Sequence, residues 1–352
     1  MNTIKFLFKS LVQNTCILLE KQKWWLALIV LLTSLVICVS PTLSTGYTSN
    51  VATYLNTSKD AAIDKGLAKF ALDINDENSV VIENNTLTST GIFAPLADLT
   101  SESAASTVYQ PNKSYTHIDG DKSITVLRTY FLNLDSTNSQ DLATLTSFRN
   151  VSILKSGSST STTAKEIQSS YIIFTKNAFY IYIYQAKGAI LTTNPLVYFS
   201  GVFTEEAFKA KYDLATMKTI AETTNNDKAI EANWVKFFNE AYAPVNVRST
   251  WISVGTYLGI DFAVIFFSGL IFFLFSRGKN SIKHYSFLEA EKIASFMALT
   301  PAVISAVVSV FMSQFGIFIF LVAIAFRMMS AVSKLNGNNS SSSSGPVYKA
   351  RS

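Results

Sequence analysis

The sequence predicts an integral membrane α-helical protein, with four transmembrane helices, that carries an extracellular α+β domain. Three observations predict it. Of the 352 residues 49% are hydrophobic and only 15% charged, and the apolar excess is gathered into long runs instead of being spread evenly. The short segments flanking those runs are all basic. Between the first and second runs lies a long polar stretch whose apolar residues follow both helical and strand periods.

Residues 1–23 read as a cytoplasmic amphipathic arm, with Ile4, Leu7, Phe8, Leu11 and Leu18 near helical spacing and Lys5, Lys9, Lys21 and Lys23 along it. Two placements fit: a helix lying on the inner leaflet with its lysines near anionic headgroups, or a cytoplasmic extension of the first span. Residues 24–42 meet the requirement of roughly 20 mostly apolar residues for a span. They read as a retained anchor, because the Val39-Ser-Pro-Thr-Leu43 exit is a poor small-x-small cleavage site.

Residues 43–250 read as the α+β domain, helices packed on a mostly antiparallel sheet. Helices are predicted over 60–72 and 204–238, the second broken around Thr223–Asp227, and strands over 123–134, 148–154, 171–175, 179–185 and 189–202. Lys176-Asn177 looks like a hairpin turn, and the Ser/Thr-rich 156–163 stretch like a surface loop. Residues 251–276 form the second span and 277–292 a cytoplasmic loop. Residues 293–312 and 314–332 read as a helical hairpin, interrupted near Met312-Ser-Gln-Phe-Gly316, and 333–352 as a disordered cytoplasmic tail.

Charge sets the orientation. Residues 43–250 hold 17 Lys and Arg against 20 Asp and Glu, whereas the rest of the chain holds 12 against 4. The arm, the loop and the tail are all basic, and four spans put all three on one side, so both termini are expected in the cytoplasm and residues 43–250 outside. The localisation that follows is the plasma membrane.

The chemistry on offer is thin. Both cysteines, Cys16 and Cys38, lie in the arm or first span, so the outer domain must be held by its own core and not by a disulfide. With only His117 and His284, metal sites built on His/Cys clusters are excluded, and nothing resembles a phosphate loop or a nucleophile elbow. His117-Ile-Asp-Gly-Asp121 reads as an Asp-Gly turn, and Asp73-Ile-Asn-Asp-Glu-Asn78 begins like a calcium loop but lacks its glycine and final glutamate. No catalytic residue, metal, cofactor or nucleic-acid partner is expected, and the chain is read as a non-enzyme.

The remaining candidates are structural or interfacial. Tyr180, Tyr182 and Tyr184 alternate with apolar residues, a row fit either for a ligand or partner surface or for the covered second face of a sheet. Gly255, Gly259 and Ala263 lie four apart, as do Ala294, Ala298, Ala302 and Ala306, ridges that let helices approach closely. Pro301 frees a carbonyl in the third span. Asp261 and Arg327 are the two charges within the spans, at roughly 15 and 18 Å from the outer ends at 1.5 Å per residue. At such depths each should face protein or water. They are expected to form an intramembrane pair, or to be held apart with Asp261 neutral and bonded to a neighbour such as Tyr257 or Ser268 and Arg327 snorkelling inward, or to contact a partner, or to belong to an ion pathway.

The arm IKFLFKSL, the FALDINDENSVVIENNTL and YIIFTKNAFYIYI stretches, and the closing TPAVISAVVSVF and IFLVAIAFRMMSAV segments carry a resemblance. In this order they resemble a bacterial membrane-protein family of unknown function labelled "maltodextrin utilization protein" in Gram-positive bacteria. The terminal spans are also similar to the Yip-type membrane domain, with fewer helices than that fold shows. The resemblance implies a non-enzymatic membrane protein found beside sugar ABC importers. The expected function is an accessory or assembly subunit in the lipid bilayer, binding another membrane protein or a second copy of itself, with a small transporter or channel using Asp261 and Arg327 as the alternative.

Single cysteines at Ser158 and Ser281 test the orientation. A membrane-impermeant maleimide added to intact cells should label Ser158→Cys and leave Ser281→Cys unlabelled until the membrane is opened; labelling of Ser281→Cys from outside would overturn the topology.

Overall fold

A computed structural model describes residues 3–19, 23–57, 62–97, 99–153, 169–184, 197–208, 211–224, 227–278, 283–312 and 315–335. In chain order the helices are α1 (Thr3–Val12), α2 (Asn14–Leu19), α3 (Trp24–Thr48), α4 (Val51–Thr57), α5 (Ile63–Asp73), α6 (Ser101–Ser106), α7 (Ser139–Phe148), α8 (Glu205–Phe208), α9 (Ala215–Thr224), α10 (Asp227–Ser276), α11 (Phe287–Phe311) and α12 (Gly316–Leu335). The strands are β1 (Val80–Glu83), β2 (Thr86–Ser89), β3 (Lys113–Asp119), β4 (Lys122–Phe131), β5 (Ser170–Phe174), β6 (Ala178–Ile183), β7 (Val197–Val202) and β8 (Lys211–Asp213). They divide into two compact units, one of Met1–Thr48 with Ser249–Ser352 and one of Ser49–Arg248.

Among the described residues four helices, α3, α10, α11 and α12, are long and apolar enough to cross a membrane. α3 runs to Thr48, past the expected end at residue 42 and straight through Pro41. A proline deletes the hydrogen bond to the carbonyl four residues back. Here that carbonyl, Ile37 O, accepts from Ser40 Oγ at 2.9 Å, so the helix continues with the deficit repaired locally. α11 starts at Phe287, ahead of the expected residue 293, because Ser286 and Glu289 form a reciprocal capping box.

The interior of this unit is built from small residues. Ala294, Ala298 and Ala302 of α11 are fully buried, whereas Phe320, Ile324, Met328 and Ala331 give α12 its inward stripe. Gly316 sits against Ser309, so the α11–α12 hairpin closes where only a glycine fits. Phe6, Ile17 and Leu18 of the arm are buried in the same core, and Phe6 meets Phe296 edge to face at 5.3 Å. The arm helices therefore pack into the bundle core, and α3 starts afresh after a non-helical Lys23.

The second unit is a layered α+β fold. A five-stranded sheet in the order β3-β4-β5-β6-β7 is antiparallel except for the parallel β4–β5 pair, and a smaller antiparallel sheet runs β2-β1-β8. One face of the large sheet, with Leu127, Phe131, Phe174, Phe179, Ile181 and Phe199, packs on α5 and the N-terminal part of α10. Trp234 anchors that layer, stacked between Phe70 at 5.1 Å and Phe238 at 5.4 Å, its indole N–H donating to Leu67 O at 3.1 Å. The other face, with Tyr130, Tyr171, Ile173, Tyr182 and Tyr184, is covered by Ala104 of α6 and by Leu145 and Phe148 of α7.

Several expectations need correction. Residues 148–153 are helical, α7 running into a π-helical turn at Arg149–Ile153, because Phe148 and Val151 reach the core three residues apart. The 204–238 helical region is interrupted by β8, which pairs with β1. Gly120, at φ +63°, turns the β3–β4 hairpin, and Asn75 Oδ1 accepts from the amides of Glu77 and Asn78, so both acidic stretches are turns. The 156–163 loop, the tail from residue 336 and residues 189–196 of the predicted strand lie outside the described residues.

Replacing Trp234 with Ala should destabilise the Ser49–Arg248 unit by about 3–5 kcal/mol. In the full-length protein this reads as an early unfolding transition by differential scanning calorimetry. An unchanged trace would mean that the aromatic stack does not organise this layer.

Candidate functional site

Among the described residues no group of three or more His, Cys, Asp or Glu could hold a metal ion. Two buried polar centres of the Met1–Thr48/Ser249–Ser352 unit are built on the intramembrane charges predicted from sequence, one on Arg327 and one on Asp261.

The Arg327 centre starts from Pro301. The missing proline N–H leaves Met297 O without its helical donor, and Met297 is fully buried. Arg327 Nη1 donates to that carbonyl at 3.0 Å and to Thr300 Oγ1 at 2.6 Å. Its Nε donates to Asn14 Oδ1 at 2.9 Å, Asn14 Nδ2 donates back to Arg327 O at 3.3 Å, and Nη2 donates to Ser10 O. Thr300 Oγ1 in turn donates to Leu11 O at 2.6 Å. Ser10 and Leu11 lie in the last turn of α1, where carbonyls have no helical partner and the dipole is negative.

The same device closes α2. Leu18 O accepts from the Tyr285 hydroxyl at 2.7 Å and from Lys283 Nζ at 3.4 Å. Burial, with Glu289 nearby, pushes the Tyr285 phenol up to about 12, so it remains a donor at neutral pH. Both arm helices thus end on donors supplied by distant parts of the chain.

The Asp261 centre is separate. Asp261 is 2% exposed, and its Oδ1 has no hydrogen-bond partner. It lines a small polar cavity of about 20 Å³ together with Cys38 and Thr42 of α3, Tyr257, and Ser305 and Ser309 of α11, at the level where α12 begins. Ser305 Oγ donates to Gly316 O at 2.8 Å and Ser309 Oγ to Ser305 O at 2.7 Å.

The expected Asp261–Arg327 pair does not form. Arg327 is engaged by the arm and by α11, and Asp261 lies beside Cys38. Gly316 adjoins the Asp261 cavity, and Arg327 follows eleven residues later on the same helix, about 16 Å along its axis at 1.5 Å per residue. Depth counted from Trp251 misleads because the α11–α12 turn sits near the level of Asp261 and not at that of Trp251.

Of the proposed packing residues, Ala298 and Pro301 are buried in the bundle. Gly255 and Gly259 are not: both are exposed, and a Cβ added at either would meet nothing within 4 Å. Tyr182 and Tyr184 are buried at 6% and 5% exposure and Tyr180 is half-buried, so the row is the covered face of the sheet and not an open ligand surface. Arg149 Nη1 donates to the Tyr182 hydroxyl at 3.0 Å, and Tyr171 stacks on Tyr182 at 4.6 Å.

Two features escaped sequence reasoning. Glu291, placed in the loop by the late helix start, packs against Gly269 of α10 with Oε1 unpartnered. Asn14 and Ser10 looked like ordinary polar positions of an arm; only the freed carbonyl at Met297 hinted that a long-range donor was required. No protein-family model, curated protein or solved structure matches the chain.

Arg327→Gln should release the arm, since each acceptor left unmade in an apolar setting costs about 1–3 kcal/mol. Amide hydrogen exchange over residues 3–19 is expected to accelerate at least about 10-fold, the equivalent of about 1.4 kcal/mol. Arg327→Lys should fail to restore protection, because one ammonium cannot span acceptors on three helices. Wild-type protection in both variants would show that the arm is held by apolar packing alone.

Proposed function

We propose that this protein is a non-enzymatic plasma-membrane accessory or assembly subunit, with residues 43–250 outside and both termini cytoplasmic. It binds another membrane-spanning chain through its second span. The observation that carries this reading is the Gly255–Gly259 ridge, a surface for close helix approach that the chain's own helices leave open. Exposed Ile252, Thr256 and Phe262 flank it on the same helix. The sequence resemblance supports a sugar ABC importer as the class of partner. The transport alternative needs a polar path through the spans; Arg327 is hydrogen-bonded within the bundle and Asp261 lines a separate small cavity.

The Gly255→Leu/Gly259→Leu double variant tests the reading, since within the chain both side chains enter open space and the fold should tolerate them. Native mass spectrometry after extraction in mild detergent should give wild-type protein heavier than one chain, either self-associated or with a co-purifying membrane protein. The double variant should be monomeric with unchanged thermal unfolding. Wild-type protein that is monomeric and alone in several gentle detergents would end this reading.

A further inference from the structure

The Asp261 cavity is a different surface from the glycine ridge and makes a different demand. A carboxylate buried among apolar helices with one oxygen unpartnered is costly unless a positive charge or a proton neutralises it. The surrounding groups offer oxygen and little positive charge: Ser305 and Ser309 spend their hydroxyl protons on Gly316 O and Ser305 O, which leaves their oxygen lone pairs for the cavity. Thr42 and Tyr257, which also line the cavity, carry two more hydroxyls, and the neutral Cys38 thiol lies within hydrogen-bond reach of Asp261. The space, about 20 Å³, suits a body the size of one water molecule. Hard oxygen donors around a single carboxylate fit a small cation, and one negative charge balances a monovalent ion, whereas a divalent ion would leave a net charge in the interior.

We propose that this cavity is a binding site for one dehydrated monovalent cation of the size of Na⁺, held by the Asp261 carboxylate and the hydroxyl oxygens of Thr42, Tyr257, Ser305 and Ser309. The site ties α3, α10 and α11 together at the start of α12, so occupancy stabilises the bundle. It stands independently of the partner reading, since none of its residues belongs to the Gly255–Gly259 ridge.

Thermal unfolding of the full-length protein in lipid nanodiscs tests it, with NaCl exchanged for choline chloride at constant ionic strength. Wild-type protein should gain several degrees, roughly 3 °C or more, in a saturable Na⁺ titration, as expected for a ligand that binds only the folded state. Asp261→Asn should abolish the Na⁺ dependence, and Ser309→Ala should shift the titration to at least about 10-fold higher Na⁺. If Asp261→Asn does not fold, Thr42→Val and Ser309→Ala decide, and an unweakened Na⁺ response in both overturns the proposal. Equal stability of the wild type in Na⁺ and choline overturns it as well, leaving a protonated carboxyl with a buried water. So does a Na⁺ response that persists in Asp261→Asn.

Discussion

A backbone carbonyl in an apolar interior must find a donor, and in this protein one such carbonyl organises the membrane unit. Pro301 frees Met297 O, and Arg327 satisfies it from another helix. A guanidinium cannot stop at one bond: with its fork fixed it must also find acceptors for its remaining N–H groups. It finds them on Thr300, Asn14 and Ser10, and in doing so brings the N-terminal arm into the bundle. Pro41 poses the same problem in α3, where Ser40 solves it within one turn and nothing is recruited. Two prolines with the same deficit thus have opposite structural reach, decided by whether the donor is local.

The gross architecture was legible in the sequence because apolar runs and alternating strands report burial directly. Trp24, Phe311 and Gly316 bound the spans or their turns closely, and β4, β5 and β6 fall within a few residues of their predicted ranges, whereas the expected start at Trp251 is no boundary, because α10 runs unbroken from Asp227 to Ser276. Failures came where burial periodicity is ambiguous or the partner is remote. Phe148 and Val151 fit a strand or a helix until the layer they face is known. The tyrosine row of β6 alternates in either reading, and only the α6–α7 cover decides it. The charges were harder still: the sequence shows that Asp261 and Arg327 are present, but their depth depends on where the α11–α12 turn lies, and Asn14 carries no mark of its role.

The two polar centres differ in completeness. Around Arg327 donors and acceptors are matched across four helices, so the group rigidifies what it touches. Around Asp261 one buried carboxylate oxygen is left without a partner, so the network there is not closed. The glycine ridge of α10 is open in a different way, exposed with nothing within 4 Å of an added Cβ. What the chain completes internally and what it leaves open therefore separate cleanly by residue.

The bonds from Arg327 to Ser10 and Asn14 join residues 317 and 313 positions apart, so they link helices made early to one made much later. At synthesis rates of about 5–20 residues per second the arm waits on the order of 15–60 s before its Arg327 donor emerges. During that interval Phe6, Ile17 and Leu18 have no core to enter. Docking of the arm thus waits for α12, and a chain truncated before α12 would leave the end of α1 and the start of α2 without the Arg327 donor, exposing apolar side chains of the kind that quality-control proteases and chaperones recognise.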